Sequence, residues 1–551
     1  MSRQSGRARG PATAARGKAA VGNRAKITDW ESAIFLVAAI LWPALYAYYT
    51  QQIWEDFFIT FRHSQNLVEG HGLVYQPGER VHGFTSPIGV LLPAALLKVA
   101  TWFGSTGYEG PLLIFRAMGT LAYAGGGWFI LRAMQREPEC GWASRWLFAA
   151  LYLLDVKAVG FSVNGMETGF MLLFVGWSFL LLMSRGPWRW LPCGLAWAGL
   201  MWTRPDGCFY IAALAVAGLA VDWNRRRERI WSLLKMGLVC AVVYLPWFAW
   251  AWSYYGSPVP HTVMVKQHAP SPLEVQTFPL SLITGARLNF APVYDQSESW
   301  PVWLYRAEWL LSVVALFYWA IPGRDRLGRA ASCYFLLVTL MRVTAQIFPW
   351  YLPPGSMLAW VVIARASERL GTYAIAAWRG KAWPKLAAVA GAAIVFAALY
   401  AGVVVSVGGT RQAQVFQALI EDGLRRPIGE WLATRVRPGE RVFLECLGYI
   451  GYFSRAKMLD HPGLCSPEVA KLSAKKLLIH EEIAALDPEW LVLRINELEA
   501  AKQDPTFAER YELVHALDHW ELITRVAGRD HGLPFLINDS KFAVLHRKPK
   551  S

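Results

Sequence analysis

Long apolar runs separated by short polar loops cover most of the chain up to residue 407. Several runs are shorter than the roughly 20 residues that a straight membrane span needs, so their ends are approximate. The pattern predicts a bundle of membrane-spanning helices. The runs are residues 33–49, 88–103, 112–131, 143–161, 169–183, 188–202, 209–221, 231–254, 303–321, 332–348, 352–364 and 386–407.

The composition agrees with a membrane protein. Hydrophobic residues make up 54% of the 551 residues and charged residues only 17%, with a mean hydropathy of +0.26. A soluble globular chain carries about 25% charged residues. The composition therefore excludes a mainly soluble protein and indicates a polytopic α-helical membrane protein.

Basic residues are concentrated in the tail 1–30 and in alternate loops. The tail contains no acid up to Lys26. A nucleic-acid-binding arm would also be basic, but a disordered cytoplasmic tail ahead of a first span is the simpler interpretation, and no nucleic acid is expected as a partner. The other basic positions are Arg132, Arg136, Arg145, Arg185, Arg189, Arg225, Arg226, Arg227, Arg229, Arg324, Arg326, Arg329, Arg365, Arg369, Arg379, Lys381 and Lys385.

These basic loops fix a predicted topology. The positive-inside rule places them in the cytoplasm. The alternation of basic and other loops fits this rule only if the tail is cytoplasmic and residues 88–103 do not cross the membrane fully. That segment is then a re-entrant or interfacial helix, or half of a hairpin with its neighbour. About eleven spans then remain in a membrane domain of residues 31–407. The first loop (50–87), the loops 162–169 and 203–207, and the long loop 255–302 face outward.

Residues 408–551 show a different pattern, with short apolar stretches between charged segments. Residues 441–454, 490–495 and 541–547 predict strands, and residues 416–433 and 467–486 predict helices. A small α/β domain on the outer side is expected. An oxidising exterior would permit a disulfide between Cys446 and Cys465, although nothing in the sequence brings them together. No Cys or His spacing indicates zinc.

The outer loops carry charged side chains in apolar surroundings, which makes them a functional-site hypothesis by default. Glu55 and Asp56 are adjacent, so in a helix they point about 100° apart and at most one faces a given cleft. The acids are Glu55, Asp56, Glu167 and Asp206, the cations are Arg62, Arg204 and Lys266, and the histidines are His63, His71, His82 and His261.

Each candidate also has a purely structural interpretation. Arg62 could neutralise one of the two acids and anchor a juxtamembrane helix. Glu167 could cap the helix that follows it. Arg204 and Asp206 could pair with each other, and His261 could serve the structure alone. The convergence of several charged loops on one side favours a shared function.

Several stretches of the chain, in order, resemble a bacterial family of GT-C glycosyltransferases. The first loop, EDFFITFRHSQNLVEGHGLVYQPGERVHGFTSP, is similar to the family's first outer loop, and NGMETG, TRPDG, YYGSPVPHTVMVK and DHPGLCSPEVA are similar to its later motifs. The best-known relatives are the terminal β-(1→2) arabinofuranosyltransferases of the actinobacterial cell wall. The chain departs from the pattern at His261, where the family usually has Asn, and around Cys465, where the motif has lost its acid.

The resemblance implies a GT-C fold and an inverting transfer of a sugar from a polyprenyl-phosphate donor to a cell-envelope glycan or glycolipid. The sugar would be arabinofuranose or another pentose or hexose. The reaction would take place on the outer face of the bacterial cytoplasmic membrane. Such a transfer needs a carboxylate to take the proton of the acceptor hydroxyl. It also needs cations to hold the departing phosphate.

The same resemblance suggests residue roles. Asp56 is the preferred base, with Glu55 as its rival, because the family's motif contains both acids. Some GT-C enzymes need a divalent metal and others do not, so the cofactor stays open. The candidates for binding the donor phosphate and sugar are Arg62, Glu167, Arg204, Asp206, His261 and Lys266.

The alternative is a transporter or flippase of a lipid-linked or small polar substrate. Such proteins also carry charges within their membrane domains. Here the charges cluster at one face, the spans show no repeated half, and a sizeable outer domain follows. These features favour the enzyme.

Overall fold

The structure is a computed structural model, and it describes residues 12–257, 259–265, 278–293, 300–323, 325–342, 348–377, 382–475, 477–527 and 534–549. Helices dominate the membrane domain. They are α1 (Ala12–Thr50), α2 (Glu55–Val68), α3 (Pro87–Trp102), α4 (Glu109–Arg136), α5 (Trp142–Leu154), α6 (Val156–Val163), α7 (Thr168–Leu182), α8 (Trp190–Thr203), α9 (Gly207–Val221), α10 (Arg226–Tyr255), α11 (His261–Val265), α12 (Phe278–Arg287), α13 (Val302–Phe317), α14 (Arg326–Arg342), α15 (Pro353–Ala377) and α16 (Ala382–Phe416).

The C-terminal part mixes strands with short helices. A π-helical segment, Gln417–Arg425, continues α16 and leads into this C-terminal part. The elements are α17 (Arg426–Ala433), β1 (Arg441–Leu444), α18 (Leu447–Ser454), β2 (Lys457–Asp460), α19 (Pro467–Ser473), α20 (Ile479–Leu486), β3 (Trp490–Arg494), α21 (Ile495–Ala501), α22 (Phe507–Arg510), β4 (Tyr511–Asp518), α23 (Trp520–Ala527) and β5 (Lys541–Arg547).

Three helical stretches among the described residues are long and apolar enough to cross a membrane: Asp29–Thr50, Trp223–Tyr255 and Trp383–Ala433. Helices α5 and α6 make a fourth if their bent pair is one span, with a bend of 53°. Asp155 sits at the bend and accepts a hydrogen bond from the Ala158 amide at 3.1 Å, which starts α6 in a new direction. The expectation of about eleven spans stays a prediction. The first helix begins at Ala12, inside the segment expected to be a tail.

Loops predicted to share the cytoplasmic side lie together at one end of the bundle. Arg229 pairs with Asp222 at 2.7 Å, and Arg326 pairs with Asp222 at 2.8 Å. Arg185 pairs with Glu137 at 2.7 Å. The loops after α4, α7 and α9 therefore meet the start of α14 through ion pairs.

Glycines bring α4 and α7 into close contact. A Cβ at Gly169 would lie 2.5 Å from the carbonyl oxygen of Gly119, and a Cβ at Gly126 would lie 2.6 Å from that of Leu172. Small residues of this kind let membrane helices approach backbone to backbone. The contact fixes the N-terminal end of α7, where Glu167 lies.

The C-terminal sheet has five strands in the order β2-β1-β3-β5-β4. Strand β1 runs parallel to β2 and β3, whereas β5 runs antiparallel to β3 and β4. Both faces are covered, because Val442 and Leu444 pack on the helices after α16 while Phe443 faces the cluster of α19 and α20. Alternate residues of one strand thus enter two different cores.

Two details of this region differ from the sequence-based expectation. The strand expected over 441–454 ends at Leu444, and the glycine-containing remainder forms α18, which packs against α2. The helix expected over 467–486 is two helices, α19 and α20. Cys446 and Cys465 are both free thiols.

The C-terminal domain docks on the loop between α2 and α3. Gln76 makes two hydrogen bonds with the backbone of Met458, at 3.1 and 2.7 Å. Lys457 pairs with Glu79 at 2.7 Å. These contacts hold the domain over the first loop of the membrane domain.

One ion pair within the C-terminal domain gives a pH-dependent prediction. His461 contacts the buried carboxylate of Glu482 at 2.7 Å, which raises the pKa of His461 above its ordinary 6.5. The pair therefore stabilises the folded protein below about pH 6.5 and is lost as the pH rises through the higher folded pKa. We expect the thermal midpoint of the purified protein to fall by about a degree over this window, and Glu482→Gln to remove that slope. An unchanged slope in Glu482→Gln would contradict this assignment.

Candidate active site

A cavity of about 940 Å³ lies where the first loop, the α8–α9 turn, α10 and the end of α14 meet. The C-terminal domain contributes Leu464 to its wall. Five charged side chains line it: Asp56, Glu167, Arg204 and Asp206 come from the predicted loops, and Arg342 does not. The first four are thus brought together as the sequence analysis expected.

Asp56 faces the cavity from the first turn of α2. Its side chain is half-buried, and its carboxylate makes no hydrogen bond or ion pair with any described residue. The start of α2 is fixed by Trp54, whose ring lies 4.9 Å from that of Phe161 and 5.6 Å from that of Trp350. The Trp54 amide donates to the Asn164 carbonyl at 2.8 Å. Asp56 therefore presents to the cavity a carboxylate that no described residue pairs with, on a fixed backbone.

Glu55 points away from the cavity and into the C-terminal domain. Its carboxylate contacts Arg425 at 2.9 Å and accepts a hydrogen bond from the Gly448 amide at 3.0 Å. Burial raises the pKa of Glu55 above its ordinary range, while the nearby Arg425 opposes that rise. Since successive helical residues diverge by about 100°, only one of the two acids reaches the cavity, and it is Asp56.

Glu167, Arg204 and Asp206 form one buried ionic group. Arg204 contacts Glu167 at 3.0 Å and Asp206 at 2.8 Å, and its guanidinium stacks 4.3 Å from the ring of Tyr351. Arg204 and Asp206 thus do pair, as their spacing suggested. Glu167 precedes α7 but makes no side-chain capping bond there, because its carboxylate turns to Arg204. Two carboxyl groups thus share one guanidinium, and burial raises the pKa of Glu167 while Arg204 opposes that rise.

Arg342 is the cavity residue that the sequence analysis missed. It donates to Asn289 and to the hydroxyl of Tyr210, both at 3.3 Å, and to the carbonyl oxygen of Tyr351. In the described part of the chain it has no carboxylate partner. Its position within the apolar run 332–348 was a usable signal, because a charged residue inside a span is a functional-site hypothesis by default.

Three of the candidate residues do not line the cavity in the described structure. Arg62 is buried and donates to the carbonyl oxygens of Tyr75 and Ala456 at 3.1 Å each, and also to that of Gly451. It therefore ties the first loop to α18. Glu55 is the second, and the third is His261, whose amide donates to the His82 carbonyl at 3.0 Å.

Two further loop residues are His82 and Lys266. His82 lines the cavity, and burial lowers its pKa to about 3, so its ring is neutral there. Lys266 lies outside the described residues. Among those residues no three His, Cys, Asp or Glu side chains come together in a way that could hold a metal ion.

Most of the remaining cavity wall is apolar. It includes Cys208 and Phe209 on α9, which are exposed, and Tyr244 and Phe248 on α10, which are half-buried. The cavity therefore opens between α9 and α10. The part of the wall formed by α9 and α10 is thus an apolar passage to the outer surface of the helical bundle.

Comparison with known proteins supports the fold. Residues 412–543 match a family described as "Domain of unknown function (DUF8728)". No curated protein matches the chain. Two crystal structures of ArnT from Cupriavidus metallidurans share the overall fold, one bound to undecaprenyl phosphate (TM-score 0.53, 14% identity) and one in the apo state (TM-score 0.51, 12% identity). Each alignment covers 94% of this chain and 98% of ArnT.

At this identity the likeness shows the fold alone. The chain has the GT-C fold that the sequence analysis expected, and it is an integral membrane protein. The sugar, the acceptor and the arabinofuranosyltransferase-like assignment are separate questions.

Proposed function

We propose that the protein is an inverting glycosyltransferase that uses a polyprenyl-phosphate sugar as donor. One observation carries the proposal: a carboxylate without a partner among the described residues, Asp56, faces the same cavity as an arginine without a carboxylate partner there, Arg342. Glycosyl transfer from a lipid phosphate needs these two groups, a base and a cation. The shared fold with ArnT, whose structure holds undecaprenyl phosphate, supports the choice of donor.

Asp56 acts as the base. The acceptor hydroxyl attacks the anomeric carbon, its proton passes to the Asp56 carboxylate, and the bond from that carbon to the phosphate oxygen breaks. The new bond forms on the face opposite the leaving phosphate, so the configuration inverts. A half-buried carboxylate with no partner among the described residues is suited to accept this proton.

Arg342 holds the departing phosphate. Its described partners are neutral, so its charge is available for an anion. Arg204, by contrast, is already paired with two carboxylates. The ionic group of Glu167, Arg204 and Asp206 is suited to hydrogen-bond the sugar hydroxyls, with its acids as acceptors. Lys266 and His261, both within the predicted long loop 255–302, stay candidates for the donor.

The apolar passage between α9 and α10 suits the polyprenyl chain. A lipid donor needs its phosphate near Arg342 while its tail stays in the hydrocarbon of the bilayer. The exposed Cys208 and Phe209 provide such an exit. A lipid donor would explain why one cavity combines charged residues with an apolar, exposed wall.

The finer assignments follow the sequence resemblance. We propose arabinofuranose, or another pentose or hexose, as the sugar, and a cell-envelope glycan or glycolipid as the acceptor. The active site and the C-terminal domain would face the outer side of the bacterial cytoplasmic membrane, with the N-terminus in the cytoplasm.

The test uses the purified full-length protein in liposomes with a labelled polyprenyl-phosphate arabinofuranose and a panel of other polyprenyl-phosphate sugars. We expect consumption of one donor and release of polyprenyl phosphate when an envelope glycan or glycolipid fraction is added as acceptor. Movement of the labelled lipid or a small solute across the bilayer without donor consumption would contradict the proposal and identify a transporter or flippase.

A further inference from the structure

Glu55 is half of the acidic pair, yet its carboxylate faces the C-terminal domain. One oxygen contacts Arg425 at 2.9 Å and the other accepts the Gly448 amide hydrogen at 3.0 Å. The fit is tight, because a Cβ at Gly448 would collide with the backbone oxygen and the Cγ of Glu55. Both oxygens of this carboxylate are thus bound by residues of the C-terminal domain.

Arg425 is itself held firmly. Its side chain is 5% exposed, and it contacts Glu421 at 2.9 Å and Asp539 at 3.2 Å. It is the last residue of the π-helical segment Gln417–Arg425. Such segments are rare and occur often at functional sites. The guanidinium that pairs with Glu55 is therefore fixed by other contacts within the domain.

The same π-helical segment also holds the chain just before α2. The Ile53 amide donates to the Gln417 side-chain oxygen at 2.9 Å. Tyr449 donates to the Ile53 carbonyl at 3.2 Å and accepts from Gln417 at 2.9 Å. Residues 53 and 55 are thus fixed by side chains and an amide that all lie within the matched domain 412–543.

We infer that Glu55 is a positioning residue: through Arg425 and Gly448 it lets the C-terminal domain fix the first turn of α2 and so the direction in which Asp56 faces. This inference rests on the proposed function. Because Asp56 follows Glu55 directly, a small rotation at Glu55 moves the Asp56 carboxylate by a similar angle. A displacement of about 1 Å in a reacting group can cost about a hundredfold in rate.

The inference predicts a specific kinetic signature. Glu55→Gln removes the carboxylate that pairs with Arg425, and Gly448→Ala pushes α18 away from Glu55 without changing any charge. We expect each to lower kcat about ten- to a hundredfold and to leave KM for the polyprenyl-phosphate donor within about threefold, because Arg342 lies on another helix. The pH profile of kcat stays that of the wild type, since Asp56 remains the base.

A double-mutant cycle tests the path through Arg425. Arg425→Lys keeps the positive charge but loses the planar fork that reaches several carboxylates at once. If Glu55 acts through Arg425, then Glu55→Gln with Arg425→Lys loses no more kcat than the worse single variant. The matched control is Glu79→Gln, which breaks the ion pair with Lys457 at the same domain interface but away from α2, and it retains wild-type kcat.

Several outcomes would overturn the inference while wild-type turnover upholds the proposed function. These are a raised donor KM with unchanged kcat in Glu55→Gln, losses that multiply in the double variant, or an equal loss in Glu79→Gln. Thermal midpoints of all variants separate a positioning effect from unfolding, and Gly448→Ala provides the second route if Arg425→Lys fails to fold. A wild-type protein that consumes no donor would overturn both the proposed function and this inference.

Discussion

Asp56→Asn abolishes glycosyl transfer, lowering kcat by about a thousandfold or more, while donor binding stays close to that of the wild type. The asparagine side chain has the same shape but cannot accept the proton of the acceptor hydroxyl. Loss of a general base costs on the order of 10² to 10⁴ in rate. Because the Asp56 carboxylate makes no hydrogen bond or ion pair with any described residue, the substitution breaks no described side-chain hydrogen bond or ion pair. Steady-state turnover in liposomes gives kcat, and polyprenyl-phosphate binding gives the affinity.

Glu55→Gln is the matched control for this prediction, since it makes the same chemical change one residue earlier. We expect it to retain clearly more turnover than Asp56→Asn, because it leaves the base in place. The reverse result, with an active Asp56→Asn and an inactive Glu55→Gln, would show that the base had been assigned to the wrong carboxylate.

Arg342→Gln lowers kcat/KM for the donor by about a hundredfold or more, mainly through a raised KM together with a lower kcat. The arginine supplies the positive charge that meets the phosphate, first in the bound donor and then on the leaving group. Glutamine can keep a hydrogen bond to Asn289 or Tyr210 but carries no charge. The kcat/KM of Arg342→Lys should lie between those of the wild type and Arg342→Gln, because lysine keeps the charge and loses the planar fork.

The control for the Arg342 series is Arg306→Gln on α13, an exposed arginine stacked 4.7 Å from Trp303. It should leave kcat/KM unchanged. If Arg342→Gln keeps kcat/KM within about threefold of the wild type, then another cation holds the phosphate, and Lys266 becomes the first candidate.

Local sequence patterns were sufficient to find most of the cavity's charged residues. Glu167, Arg204 and Asp206 each lie in a short loop between apolar runs, so periodicity and loop charge placed them at the same side of the bundle. The structure brings both acids within hydrogen-bond distance of Arg204. Helix packing through the glycines of α4 and α7 then fixes the end at which they meet.

Long-range contacts decided what the sequence left open. The sequence could state that Glu55 and Asp56 diverge, but not which of them faces the cavity. That choice depends on Arg425, which lies 370 positions further along the chain. Arg62 was a reasonable phosphate ligand by charge alone. Its carbonyl partners at Gly451 and Ala456 are equally remote, so no local pattern revealed them.

A short apolar run also accounts for a difference between the predicted and the observed secondary structure. Residues 447–454 are rich in aromatic and branched side chains and were expected to extend a strand, yet they form α18. Periodicity alone cannot separate a short buried strand from a short buried helix. The deciding contact is again tertiary, because Gly448 and Gly451 let α18 approach α2 and Tyr75 closely.

The most direct test of the central claim is a density map of the full-length protein with a bound polyprenyl-phosphate sugar or a stable analogue of it. We expect the phosphate at hydrogen-bond distance, about 3 Å, from the Arg342 guanidinium, with the sugar between it and the Asp56 carboxylate. The polyprenyl chain should leave between α9 and α10. A phosphate bound away from this cavity, or a sugar whose anomeric carbon faces no carboxylate, would contradict the claim.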